Sequence, residues 1–195
     1  MSKAERTRQY IIEKTAPIFN TKGYAGTSLH DMTEATGLTK GSIYGNFENK
    51  DEVAVAAFRH NAKLLWSHIQ AEVNQNTSYK EKLLAYPKVY KKLFSQPLII
   101  GGCPLVNTAT EADDTHPLLR KEVSQAMEGW KKELVNLIEK GIQAGEFKEI
   151  NDPEQEALTI IATIEGAITI TKLTGKSGYL KKMMDALQKQ IQALT

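Results

Sequence analysis

Apolar residues recur every three or four positions along nearly the whole chain, and nowhere do they alternate. A repeat near 3.6 gives a helix one buried stripe, whereas a half-buried strand needs a repeat of two. The chain is therefore confined to an all-α fold. The first helix is predicted over residues 6–21, with Ile11, Ile12, Thr15, Ile18 and Phe19 on one face and Gly23 as its stop. Thr27 and Ser28 are both candidate caps of a short second helix, and Ser28 with Asp31 has capping-box spacing. Gly37 ends that helix, and Thr39 caps a third predicted over residues 40–47. Asn49 caps a fourth, opened by Asp51 and Glu52 and running through Phe58, Leu65, Trp66 and Ile69 towards Val73.

The punctuation continues to the C-terminus. A polar break at residues 74–78 precedes a helix over residues 79–95, with a kink expected at Pro87. Residues 96–103 read as irregular. Pro104 and Pro117 each suit a first helical position. The helix from Pro117 carries Val123, Met127, Trp130, Leu134, Leu137 and Ile138 before Gly145 ends it. Asp152-Pro153-Glu154 starts a helix bearing Ile160, Ile161, Ile164 and Ile168. After a break at residues 175–178 the last helix shows Leu180, Met183, Met184, Leu187, Ile191 and Leu194. About nine helices result.

Of the 195 residues, 41% are hydrophobic and 25% charged, an ordinary globular composition. No apolar run is expected to reach the ~20 residues that cross a bilayer, and the N-terminus lacks a signal-peptide core. With the single cysteine Cys103 excluding an intrachain disulfide framework, a cytoplasmic protein with no membrane partner is expected. The net charge of +2 lies wholly within residues 1–50, an excess that permits nucleic-acid binding without requiring it.

The segment Thr27 to Lys50, TSLHDMTEATGLTKGSIYGNFENK, carries the function. It joins two short helices through a tight turn at Gly37-Leu38. The second helix opens with Thr39, Lys40, Gly41 and Ser42, small and polar, as a helix approaching base edges in a major groove requires. Ile43 and Phe47 are spaced to anchor it, which leaves Tyr44 and Asn46 to offer a phenol and an amide to phosphate oxygens. Lys50 adds a charge beside a helix N-terminus.

These residues resemble the DNA-binding domain of TetR-family repressors. The resemblance spans roughly residues 5–53 and rests on G-Y-x-x-T-S at Gly23–Ser28 and G-L-T-K-G-S-I-Y-x-x-F-x-x-K at Gly37–Lys50. It implies base contacts from Lys40, Gly41 and Tyr44, and phosphate contacts from Thr27, Ser42, Tyr44, Asn46 and Lys50. Ser28 and Thr39, at the heads of the two helices, complete the expected DNA-binding set. Thr33 and Thr36 stand where the family commonly has Ala, and Gly45 where a larger side chain is common. Gly41 and Gly45 together cost a short helix ~1 kcal/mol each relative to Ala.

The C-terminal part resembles the regulatory domain of the multidrug-type subset, through Gly101-Gly102-Cys103-Pro104-Leu105-Val106-Asn107, Pro117-Leu118-Leu119-Arg120, Trp130 and Glu165-Gly166. It implies a small organic effector bound among helices, with no cofactor. Trp66, Tyr86, Tyr90, Phe94, Cys103, Met127, Trp130, Ile164 and Glu165 are the expected pocket, where aromatic, thioether and occasional polar groups suit a flexible apolar ligand. Glu128 and Glu165 are the carboxylates to expect for a cationic one. The last two helices bear long apolar stripes and the small residues Ala157, Ala162, Gly166 and Ala167, a pattern for a four-helix bundle about a two-fold axis. A homodimer would meet a palindromic operator. The domains expected are 1–50 for DNA and 51–195 for ligand and dimer.

Two other functions compete. Cys103, after two glycines, is a candidate redox-sensing thiol, though a lone cysteine is more often packing. A helical interaction module without DNA binding is the other. For an enzyme there is no H-E-x-x-H, no phosphate-binding glycine loop and no defensible nucleophile triad. His30, His60, His68 and His116 show no metal-ligand spacing.

Overall fold

The computed structural model describes residues 2–95 and 99–195, leaving aside the side chains of residues 93–95. Among the described residues it contains nine α-helices: α1 Lys3–Gly26, α2 Leu29–Thr36, α3 Lys40–Tyr44, α4 Lys50–Val73, α5 Tyr79–Ser95, α6 Pro104–Thr115, α7 Pro117–Gln143, α8 Pro153–Thr174 and α9 Ser177–Gln192. The caps fall where side chains can satisfy the first N–H groups. Ser28 and Asp31 form both arms of a capping box, Thr39 accepts from Ser42 N–H, Asn49 accepts from Glu52 N–H at 2.9 Å, and Asp152 accepts from Gln155 N–H at 2.9 Å. Pro104 opens α6. Three boundaries differ from expectation. Helix α1 runs past Gly23, the expected stop, to Gly26, with non-helical backbone at Gly23 (φ 74°, ψ 179°). Helix α1 starts earlier, because Ser2 and Glu5 form a capping box ahead of it. Helix α3 ends at Tyr44, and its chain continues to Phe47 as a turn, with Phe47 N–H donating to Ile43 O at 3.1 Å. Helix α5 continues through Pro87.

The chain forms two compact units. The first comprises residues 1–64 and 99–126, the second residues 65–98 and 127–195. In the first unit, Ile11, Phe19, Met32, Ile43, Phe47, Val53, Ala57, Phe58, Ala112, Leu119 and Val123 make one apolar core, drawn from every helix that contributes to it. Helix α6 is joined to α1 by an amide clasp. Asn20 Nδ2 donates to Ile100 O and Gly102 O at 2.8 and 3.0 Å. Asn107 Nδ2 donates to Asn20 O and Gly101 O at 3.0 and 2.8 Å.

In the second unit, α9 packs against α5 and α8. Its core is built from Leu83, Tyr86, Tyr90, Trp130, Leu134, Ile138, Ile160, Ile164, Ile168, Leu180, Met184, Leu187 and Ile191. Helix α8 corrects the expectation that no segment is long and apolar enough to cross a membrane. Its 22 residues include an 18-residue window of mean hydropathy 1.3, which passes that test by length and composition. Interspersed threonines hide the run from a reading for unbroken apolar stretches. Its Ile160, Ile161, Ile164, Ala167 and Ile168 are buried within the unit.

Candidate nucleic-acid interface

The turn between α2 and α3 depends on Gly37, whose φ of 66° lies in the left-handed region that glycine adopts without strain. Thr36 completes the turn: its hydroxyl donates to Met32 O at 2.7 Å and accepts from Leu38 N–H at 3.2 Å. Ile43 and Phe47 are buried as expected and fix the rotation of α3 about its own axis. Thr39, Lys40 and Gly41 are exposed, and Ser42 and Tyr44 are half-buried. The side chains of Lys40, Ser42 and Tyr44 make no hydrogen bond among the described residues, so their polar ends remain available.

Long-range contacts hold this helix in place. The Arg8 guanidinium lies 4.0 Å from the centroid of the Phe47 ring, donates to Asn46 O, and pairs with Glu52 at 2.5 Å. Glu52 also accepts from Glu48 N–H at 2.7 Å. These bonds, that from Glu48 first and Arg8 next, hold its carboxyl below the usual carboxylate range. Lys22, pairing at 2.6 Å, and Ser28 do the same for Asp31 at the head of α2.

The expected phosphate residues divide in two. Lys50 begins α4 with its ammonium 4.2 Å from the Tyr24 ring centroid. Ser28 is exposed as the α2 cap, and Asn46 is half-buried, its amide donating to Ser42 O at 2.9 Å. Thr27 is a correction. Its side chain is fully buried and its hydroxyl donates to Gly23 O at 2.6 Å, so it serves the chain's own turn and is not exposed to a phosphate.

Two family models match the chain. Residues 11–57 match the bacterial regulatory proteins of the tetR family, and residues 80–187 match the tetracyclin repressor-like C-terminal domain. The chain belongs to the TetR family. A TetR-family transcriptional regulator from Cytophaga hutchinsonii is 50% identical, with a TM-score of 0.93, over 100% of this chain and 97% of that one. A TetR regulator from Chloroflexus aurantiacus is 34% identical, also at a TM-score of 0.93, over 98% and 97%. A fatty acid metabolism regulator protein of Bacillus subtilis is 26% identical over 82% of this chain and 80% of its own length. This TetR-family protein is a DNA-binding transcriptional regulator.

In the second unit of this TetR protein, some of the expected pocket residues come together. Tyr86, Tyr90 and Trp130 are buried, with the indole stacked on both phenol rings at centroid distances of 6.4 and 5.8 Å. Glu133 was missed. It accepts from Tyr86 OH at 3.0 Å and from Gln70. Its spacing of three from Trp130 on α7 was the available signal. Burial first, and then Glu133, pushes the Tyr86 phenol well above its usual range. The Trp130 N–H is buried without a hydrogen-bond acceptor among the described residues.

Ile164 is buried in the same unit, where Trp66, Met127 and Glu165 are half-buried. The Phe94 side chain lies outside the described residues. Two expectations are corrected. Glu128 is exposed and paired with Lys131 at 3.0 Å, so it is no buried carboxylate. Cys103 belongs to the first unit, fully buried at the head of α6. Burial there disfavours the redox-sensing role, which needs an accessible thiolate.

Proposed function

We propose that this regulator is a homodimeric repressor that leaves a palindromic operator when a small organic ligand binds. The observation that carries the reading is the exposed N-terminal turn of α3. Thr39, Lys40 and Gly41 stand clear of a helix whose opposite face is buried through Ile43. In this reading Lys40, Gly41 and Tyr44 meet bases, while Ser28, Ser42, Asn46 and Lys50 meet phosphates. Residues 1–50 read DNA, and residues 51–195 bind ligand and form the dimer.

Helix α8 supports the dimer. Leu158, Ile170 and Leu173 are 47%, 45% and 82% exposed, and with Ala162 and Gly166 they line one face at helical spacing. Paired across a two-fold axis, such faces bury apolar surface and present two α3 helices to half-sites ~34–36 Å apart or a multiple. The buried rings of Tyr86, Tyr90 and Trp130 supply apolar walls for an effector. Binding to operator DNA places the protein in the cytoplasm.

The test is a mobility-shift titration on DNA flanking the gene, at two salt concentrations. A discrete complex that weakens with salt, survives competitor DNA and is lost in Tyr44→Ala supports the reading. Diffuse binding that Tyr44→Ala leaves unchanged overturns the assignment of α3, as does a monomer at operator-binding concentrations for the palindrome.

A further inference from the structure

Five side chains meet where the end of α1, the start of α4 and the α6–α7 corner converge, all within the first unit. Tyr24 is at the centre. Its hydroxyl donates to Asp51, a bond that, with burial and the Asp51 charge behind it, pushes the phenol up to about 12. Its face carries the Lys50 ammonium. Its ring and the His116 ring form a T-shaped pair, centroids 4.3 Å apart and planes at 79°. Its backbone N–H donates to Glu111 at 2.6 Å.

His116 is the least exposed member, at 7%. Its Nδ1 accepts from Leu119 N–H at 3.2 Å, which caps α7. In the neutral ring this bonding puts the proton on Nε2, which lies 3.5 Å from Asp51 Oδ1 and is buried without a hydrogen bond among the described residues. The imidazole thus does two separable things: one nitrogen starts a helix, and the other looks towards a carboxylate at the head of α4.

We infer that His116 is a positioning residue for DNA binding, holding Asp51 and the Tyr24 ring so that Lys50 is presented to a phosphate. The inference rests on the phosphate role proposed for Lys50. Tyr24 is the platform for that ammonium, and its ring is fixed at one end by Asp51 and in a T-shaped pair by His116. Without a polar group at the Nε2 position, Asp51 loses its neighbour and the Tyr24 hydroxyl loses a fixed acceptor, so Lys50 samples more orientations. No part of the DNA surface itself is altered, because His116 is buried.

The two nitrogens allow a clean test. His116→Asn keeps an acceptor where Nδ1 stands, and asparagine is a strong helix cap, but it removes the reach to Asp51. His116→Gln keeps a polar end near Nε2 and loses the cap. Full-length dimer is titrated against operator DNA over a range of salt, with thermal melts alongside. Removing one phosphate contact from each protomer, two per dimer, lowers the slope of log affinity against log salt by about 2.

His116→Asn is expected to lose those two units of slope with its melting temperature near wild type. Lys50→Ala should lose the same two units, and the double variant should lose no more than Lys50→Ala alone. His116→Gln should keep the wild-type slope while melting earlier. Wild-type slope in His116→Asn, with the two units lost in Lys50→Ala, overturns the positioning role and leaves the phosphate role standing. Losses that add in the double variant also overturn it. Wild-type slope in Lys50→Ala overturns the phosphate role and this inference together.

Discussion

The two units are held by different means. In the first, polar side chains set positions one bond at a time: Arg8 reaches Asn46 and Glu52, Asn20 and Asn107 clasp the start of α6, and Glu111 takes both Tyr24 and Ala25 N–H groups at 2.6 Å. The last contact requires Gly23, because a Cβ there would overlap the Glu111 carboxylate and φ is 74°. In the second, stacked rings and isoleucines fill the core around a few polar bonds such as Tyr86 to Glu133, and the Trp130 N–H and Thr171 hydroxyl are buried without hydrogen-bond partners among the described residues, as His116 Nε2 is in the first. Hydrogen bonds are directional and dispersion is not. The first unit is thus suited to holding one geometry.

The largest effect that sharpens this contrast comes from the apolar core. Leu134→Ala should cost about 2–5 kcal/mol of unfolding free energy, read by denaturant melts, with operator affinity unchanged while the protein remains folded. A fall in affinity at that point would mean that the second unit's packing, too, sets the geometry of α3. Next, Glu111→Ala removes the acceptor of one part-buried and one exposed N–H group and should cost about 1 kcal/mol, with a loss of operator affinity as the α1–α2 connection loosens. Full retention of both would break the claim that single bonds position the first unit.

A smaller effect is expected at the indole. Trp130→Phe removes a buried donor, which favours folding, and leaves a small void, which opposes it, so stability should change by no more than about 1 kcal/mol. A loss well beyond that would show that the void or a bond made by the N–H outweighs the donor's burial. The smallest effect is acid sensitivity. Asp31 has its folded value depressed by Lys22 and Ser28, so its stabilisation is present above the unfolded value of ~3.9 and is lost as pH falls below it. Melts between neutral pH and pH ~3 should show a shallower decline for Asp31→Asn, a slight one because the pair is exposed.

Local chemistry was legible in the sequence. The caps Ser28, Thr39, Asn49 and Asp152 and the apolar stripes of α7, α8 and α9 are written within a few residues of where they act. The candidate DNA face was legible for the same reason, since Lys40, Gly41 and Tyr44 share one short helix. What stayed hidden lies far apart in the chain: Arg8 and Glu52 are 44 residues apart, Gln70 and Glu133 are 63, and Tyr24 and Glu111 are 87. Periodicity carries no information on such pairs. Thr27 shows the converse, a polar residue in a surface motif whose hydroxyl is taken by its own backbone.

Gly41 has a consequence for how such a regulator changes over time. A Cβ added there would meet nothing nearer than the Thr39 hydroxyl, at 4.0 Å. Replacing this glycine would also stiffen α3, by ~1 kcal/mol for alanine. The position is therefore open to substitution without harm to the fold, and the side chain installed there would point from an exposed turn of the proposed reading helix. A lineage could pass to a new operator by one codon at residue 41 while every buried contact stayed as it was.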